Sequence, residues 1–256
     1  MPKIRQPAQP SISRTQKEQQ ATMIRSGQVP DDVGLLQDTF ILPRKAEERW
    51  NWKLRKQWLK KRFVEVYGMA AFKWLIKPRP KLEVFEIAPK AARMHREMYH
   101  LFADGNVDSL EHKVCSGLFG SLRRRVLQRA PNTYLRWEVK QELSPPKLCS
   151  FKAAVLPGGK GELKSERNAQ IQAVVKLHTI QSLQHVKRIS KREGKDGKGA
   201  IVTRVEDIGD EEQKESVEYV VMQRTIRKGK LGEWQIWGFT EETSLAQVEK
   251  ELAAKM

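Results

Sequence analysis

Two cysteines in 256 residues, Cys115 and Cys149, cannot make a disulfide framework and read as a chain folded in a reducing compartment. No uninterrupted apolar run approaches the 18 residues of a membrane span. The best candidate, Val66 to Ile76, is 11 residues long and contains Lys73, which excludes a spanning helix and leaves surface attachment open. Catalytic patterns are scarce too. The five histidines, His95, His100, His112, His178 and His185, show no metal-ligand spacing with a cysteine or an acid, and there is no glycine-rich phosphate loop or G-x-S-x-G elbow. Gly158-Gly159-Lys160-Gly161 lies in a hairpin-like turn, and the acidic run Asp207, Asp210, Glu211, Glu212 reads as a solvated loop. Cys115, beside Val114 and Leu118 on a helical pattern, reads as packing, because nothing near it would depress a thiol pKa. No repeat at a solenoid period is present. The expectation is a protein that is not an enzyme and needs no cofactor or metal. A small-molecule enzyme would need a buried acid or base, for which Glu138 and His178 are only alternating strand residues.

What the chain has in excess is positive charge: 48 Lys+Arg against 31 Asp+Glu, a formal +17 and a pI near 9.9. The excess is localised. Residues 1–42 carry 5 basic and 4 acidic groups, residues 43–130 carry 21 and 9, and residues 131–256 carry 22 and 18. A field concentrated on one third of the chain points to a polyanionic partner, either nucleic acid or an anionic membrane surface. Hydrophobic content of 39% and seven Trp argue against wholesale disorder, and the length suffices for a real core.

Residues 1–42, rich in Gln, Pro and Ser, read as an extended basic arm. Its first 17 residues hold Lys3, Arg5, Arg14 and Lys17 and no acid, as transit peptides do, but no amphipathic helix follows. Pro43 opens a helical pattern that runs to about Ile76. Trp50, Leu54 and Trp58, then Leu59, Phe63, Val66/Tyr67, Ala70 and Trp74, form a stripe at helical spacing. A second helix spans about Pro89 to Phe102 and ends at the Asp104-Gly105-Asn106 turn. A third begins at Asp108, three residues before Glu111 as in a capping box, and carries Leu110, Val114, Leu118, Leu122 and Val126 at four-residue spacing to Pro131.

After Pro131 the period becomes two. Tyr134 to Leu143 and Leu148 to Leu156, separated by Ser144-Pro145-Pro146, are one bent strand or two short ones. Pro157-Gly158-Gly159 turns the chain into a strand around Ile171 to His178. Residues 191–216 are a charged excursion. Val217 to Ile226 and Gly232 to Phe239 form a hairpin around Lys228-Gly229-Lys230, and residues 243–254 are a short helix. Helices before strands predict an α+β fold. Helices over residues 43–130 would cover one face of a curved antiparallel sheet of four to five strands over residues 131–243, with a helix or tail at 244–256.

Two readings of the first helix compete. In one, it packs on the sheet through its Trp stripe and its charges are merely solvated. In the other, Arg49, Lys53, Arg55, Lys56, Lys60, Lys61 and Arg62 contact phosphates of RNA or lipid, and Trp50, Trp52 and Trp58 stack on bases or sit at a lipid interface. Arg123, Arg124, Arg125 and Arg129 form a second cluster, which either contacts phosphates or serves the negative end of the third helix.

The segment GNVDSLEHKVCSGLFGSLRRRVLQR (Gly105 to Arg129), the strand YLRWEVKQELSPPKLCSFKA with its Trp137-Glu138-Val139, and the closing VEYVVMQRTIRKGKLGEWQIWGF with Trp234 to Phe239 resemble one known family. It is that of the C-terminal domain of the forty-four-kilodalton subunit of the mitochondrial inner-membrane translocase. Its ribosomal relatives are mitochondrial large-subunit protein L-forty-five and the fungal membrane-associated ribosome receptor. The resemblance covers roughly residues 43–240 and implies a non-enzymatic, cone-like α+β domain with a hydrophobic pocket or groove, at the matrix face of the inner membrane. For the ribosomal branch it implies a component of the mitochondrial large ribosomal subunit that binds rRNA and tethers the ribosome to the membrane near the polypeptide exit. The implied partners are mitochondrial rRNA, large-subunit proteins, the membrane surface or an insertase, and the nascent chain, with no small-molecule substrate. The other branch implies a peripheral protein-import component that binds presequences or chaperones. Only about 42 residues precede the first helix, which disfavours the motor role of the translocase subunit.

Overall fold

The computed structural model describes residues 36, 39–77, 79–130, 133–156, 168–192, 201–207 and 210–253. The readings of residues 1–35 as an arm and of 157–161 as a turn lie outside them. The described residues form an α+β structure, as the change of period predicts. Strand β1 (Thr133–Val155) pairs antiparallel with β2 (Ala169–Arg192), β2 with β4 (Glu212–Arg227), and β4 with β5 (Lys230–Thr240). Strand β3 (Ile201–Asp207) lies on the same side of β2 as β4. Asp207 is opposite Val186 and Glu212 is opposite Leu183, so β3 and β4 form one interrupted line along β2. At roughly 3.3 Å per residue the 24 residues of β2 extend about 80 Å.

One expectation about the strands changes here, and one left open is settled. The charged excursion at 191–216 contains the end of β2, all of β3 and the first five residues of β4, because Ile201, Val202, Thr203 and Val205 are strand formers that the surrounding charge conceals. Of the two readings left open for Ser144-Pro145-Pro146, the single bent strand is the one found, with register shifts on both sides of Ser144 and again after Leu148. Proline is tolerated because β1 is an edge strand and the bulges need fewer donors. The β4–β5 hairpin is as read. Lys228 (φ 48°) and Gly229 (φ 73°) make its two-residue turn, a conformation that Gly adopts without strain.

The helices depart from their predicted bounds for local reasons. The first pattern divides into α1 (Ala46–Arg49) and α2 (Trp52–Leu75), because Asn51 stops one and caps the other, its Oδ1 accepting from Lys53 N at 2.9 Å. Helix α3 (Val84–Ala103) starts five residues before Pro89, which sits within its second turn. It ends in a Schellman arrangement, with Gly105 N donating to Phe102 O and Asn106 N to Leu101 O. The third helix is not continuous from Asp108. Asp108–Leu110 is one 3-10 turn, and α4 spans Ser116–Leu127 with Cys115 at its N-cap position, where the thiol does not cap the helix but faces Gln235 Oε1 at 3.9 Å. Between them Val114 bridges to Ile236. Cys115 N donates to Ile236 O and Ile236 N to Lys113 O, both at 2.9 Å, so this segment satisfies the open edge of β5. The terminal helix α5 is Leu245–Ala253.

The main core lies between α3 and one face of the sheet, around Ile87, Ala91, Met98, Leu110, Ile171, Val175, Met222 and Ile236, and Phe72 and Ile76 at the end of α2 join it. Complete burial of a Val, Leu, Ile, Met or Phe side chain stabilises the fold by about 1.5–3 kcal/mol. The other face carries Val174, Tyr219 and Val221 under Ile41. The last residues of the segment read as an arm therefore belong to the packed body. Phe40 and Ile41 are buried, Ile41 N donates to Thr243 Oγ1 at 3.0 Å, and Thr243 N donates back to Ile41 O.

Candidate functional site

Helix α2 is apolar on two sides. Its inward side carries Leu54, Trp58, Glu65, Met69 and Phe72. The buried Glu65 is held by Arg62 Nη1 at 2.9 Å, Ser150 Oγ at 2.6 Å and Lys152 Nζ at 3.8 Å, and Arg62 also donates to the Cys149 carbonyl at 3.2 Å. This ionic contact fixes α2 along edge strand β1. The outward side presents Trp52, Leu59, Phe63, Val66, Tyr67 and Trp74, each 54–75% exposed. The predicted packing stripe is thus right for Leu54 and Trp58 and wrong for Trp50 and from Leu59 to Trp74. The inward line passes through the charged Glu65, so hydrophobic periodicity picks the more aromatic outward side.

The basic candidates separate in the same way. Arg49, Lys53, Arg55, Lys56 and Lys60 are exposed. Lys61 is half-buried and lies 5.5 Å over the Phe40 ring, and Arg62 is engaged as above. Of the tryptophans, Trp52 faces outward and Trp58 packs against Phe40, Leu54 and Val248. Trp50, 70% exposed, is covered on one face by the Arg55 guanidinium at 4.8 Å.

On the inward side, where α1, the start of α2 and the 40–44 segment meet β1 and β2, lies a half-open cavity of about 670 Å³. Cations from both halves of the sequence line it: Arg44, Arg49, Arg55 and Arg62, and the strand residues Lys147 and Lys176 that the sequence reading missed. Aromatic walls come from Phe40, Trp50, Trp58 and Tyr219. Arg44 is paired with Glu242, which also accepts from Tyr219 Oη at 2.8 Å. Burial pushes Glu242 up, but the bonds from Arg44 and Tyr219 outweigh it and hold the carboxyl below its usual range. Burial pushes the Cys149 thiol in the wall up, and Lys147, Lys176 and Arg62 offset this only in part, so the thiol is neutral at physiological pH.

The second cluster is elsewhere. Helix α4 packs on β5, at the opposite sheet edge from β1 and α2. Arg123, Arg124 and Arg125 are exposed there, whereas Arg129 donates to Ala103 O at 3.0 Å and lies 4.3 Å over the Phe102 ring, where it closes the end of α3.

A buried polar constellation that the sequence did not reveal ties α3 to the sheet. His95 Nε2 lies 2.8 Å from Glu218 Oε2, which also accepts from Gln181 Nε2 at 2.7 Å. Tyr99 Oη donates to Glu218 Oε1 at 3.1 Å, and Trp137 Nε1 donates to Gln181 Oε1 at 3.1 Å. Tyr99 stacks on Trp137 at 4.8 Å. Burial, and after it Glu218, drives the Tyr99 phenol pKa well up. Glu138 and His178, the strand residues considered as acid or base, stand outside it: Glu138 is exposed and paired with Lys140, and His178 is half-buried and paired with Glu215. Among the described residues no cluster of His, Cys, Asp and Glu could hold a metal ion, and no helix is long and apolar enough to cross a membrane.

Fold and surface together define an α+β scaffold that presents cations and aromatic rings from a helix laid along a sheet edge. The chain belongs to the MBA1-like protein family, whose sequence profile matches residues 13–254. That family is mitochondrial and ribosome-associated, and at this level the resemblance drawn from the sequence holds. An uncharacterized protein of Schizosaccharomyces pombe is 25% identical over 198 residues, covering 76% of this chain and 62% of that protein. The chain therefore spans less than two thirds of that relative's length.

Proposed function

We propose that this protein is a structural component of the mitochondrial large ribosomal subunit that binds rRNA and tethers the ribosome to the matrix face of the inner membrane near the polypeptide exit. In this reading it supports co-translational membrane insertion and performs no catalysis. The observation that carries the reading is the outward side of α2. Six large apolar residues at helical spacing are left uncovered, Lys56, Lys60 and Lys73 lie beside them, and the helix's one acid, Glu65, is buried on the other side. Apolar burial with flanking cations is the physical signature of a helix lying on an anionic bilayer surface. The sheet would then serve as the rigid body that carries the ribosomal contacts, with the basic excess of residues 43–130 supplying phosphate contacts.

Flotation of the full chain with vesicles tests the membrane half. Binding is expected to anionic and not to neutral vesicles. It should be lost in Phe63→Ser/Trp74→Ser, with thermal stability unchanged because both residues are exposed. Equal binding to neutral vesicles, or by the variant, would refute it. Co-sedimentation with large ribosomal subunits tests the other half. The affinity should fall steeply with salt, by about 0.7–0.9 log units per phosphate contact for each tenfold rise. A flat dependence, or co-purification with translocase subunits in place of ribosomal proteins, would overturn it.

A further inference from the structure

We infer that the cavity between α1, α2 and the β1–β2 pair is a binding site for one nucleotide of single-stranded RNA, its phosphate on Lys147 and Lys176 and its base against the aromatic walls. The inference rests on the rRNA-binding reading and adds the site and the strandedness of the ligand.

The first observation is the register. Lys147 on β1 and Lys176 on β2 are directly opposed across an antiparallel pair, where like charges destabilise. Neither has a carboxylate within ion-pairing distance among the described residues, although other cations at this end of the fold do. Lys147 is exposed and Lys176 half-buried, so both ammonium groups can reach a ligand. Two uncompensated cations facing each other at a cavity constitute a site for an anion, which removes the repulsion when it binds.

The second observation is the shape and the remaining lining. A volume of about 670 Å³ falls within the range of roughly 300–1,000 Å³ typical of ligand clefts. Among the described residues Arg49 and Arg55 are likewise without an acidic partner, and the neutral Cys149 thiol puts no competing anion in the wall. Trp50 stands at the cavity with Arg55 stacked on one face, which orients a ring that is 70% exposed. Cations beside aromatic faces in a concavity suit an unstacked base with its phosphate. A base inside an A-form duplex cannot enter such a cavity. A lipid headgroup is disfavoured, because the apolar stripe that suits a bilayer is on the outward side of α2, whereas Trp58 and Arg62 of the cavity are on the side turned to the sheet.

The experiment is fluorescence anisotropy of the full chain with a labelled octaribonucleotide, single-stranded or annealed to its complement, at several salt concentrations. The single strand should bind more tightly than the duplex. Lys147→Gln/Lys176→Gln should weaken single-strand binding and make the slope of log affinity against log salt shallower by about 0.7, the one phosphate contact that the two lysines share. Trp50→Ala should weaken it by about fivefold or more. The double variant should melt at the same temperature as the natural chain or higher, since it relieves a repulsion, so a loss of binding is not a loss of fold. Equal affinity for duplex and single strand, or an unchanged slope in the double variant, overturns the inference. So does displacement of the RNA by short-chain phosphatidylglycerol below its micellar concentration, which would make the cavity a lipid-phosphate site. If the natural chain sediments with large subunits while the double variant keeps full single-strand affinity, only the cavity assignment fails. If the natural chain does not sediment with them, the broader reading fails.

Discussion

Replacing Tyr99 by Phe deletes one oxygen from the buried constellation and leaves the ring. The ring contacts, stacked on Trp137 at 4.8 Å and edge-on to His95 at 4.7 Å, are retained, so the change isolates the bond from Tyr99 Oη to Glu218. A hydrogen bond to a charged group contributes about 1.5–3 kcal/mol net. Glu218 keeps its partners His95 and Gln181, so the lower part of that range, about 1.5–2 kcal/mol, is expected. In urea, at a slope of about 2–3 kcal/mol/M, the midpoint should fall by about 0.5–1 M. The melting temperature should fall by roughly 3–8 °C. The pH dependence has a definite sign. Burial pushes Glu218 up, but its bonds with His95, Gln181 and Tyr99 prevail and leave its pKa lowered. Its contribution is therefore present above the ordinary carboxylate pKa and is lost as pH falls through the lowered folded value. The raised Tyr99 pKa acts in the opposite sense. Its contribution is complete below the ordinary phenol value of about 10 and is lost as pH rises beyond it. The stability difference between the natural chain and the variant should thus be largest near neutrality and shrink in both acid and alkali. Urea titrations across that range test this. A difference below about 0.5 kcal/mol at pH 7, or one independent of pH, would refute the argument.

Glu65→Ala removes the shared acceptor of Arg62, Ser150 and Lys152 and should cost about 2–3 kcal/mol in urea unfolding, with faster tryptic cleavage within α2 as it loosens from β1. Unchanged cleavage would mean that apolar packing alone holds the helix. Asn51→Ala removes the cap of α2 and should cost about 0.5–2 kcal/mol, with a small loss of helical circular dichroism. Gly229→Ala places a side chain at φ 73° in the β4–β5 turn and should cost about 1–2 kcal/mol in thermal or urea unfolding, whereas Gly229→Asn, which tolerates that conformation, should cost less.

The features read correctly from the residues are the ones encoded locally. The change of period after Pro131 makes the chain α+β. Alternation on both sides of Lys228-Gly229 makes the last hairpin, and the terminal helix over 245–253 follows from its own short pattern. The concentration of charge on the helical half is a matter of counting. Other features depended on partners far away in sequence. Leu110 and Val114 are spaced as in a helix, yet Val114 is claimed by the backbone of Ile236 at a sheet edge, and that competition ends the helix. Glu218 lies 123 residues from His95, and no periodicity announces their pairing.

The site shows the same division. Its basic and aromatic residue types were legible in the sequence, but their grouping was not. Arg123, Arg124 and Arg125 go to the β5 edge of the sheet and α2 to the β1 edge, while strand register puts Lys147 opposite Lys176 beside α2. By itself the sequence determined that this protein carries a basic, Trp-rich helix ahead of a nearly balanced sheet. Only the tertiary structure decided which side of that helix is free, because both sides are apolar. The choice rests on where Arg62, Ser150 and Lys152 can neutralise and hydrogen-bond the one carboxylate of Glu65, which is unfavourable to bury alone.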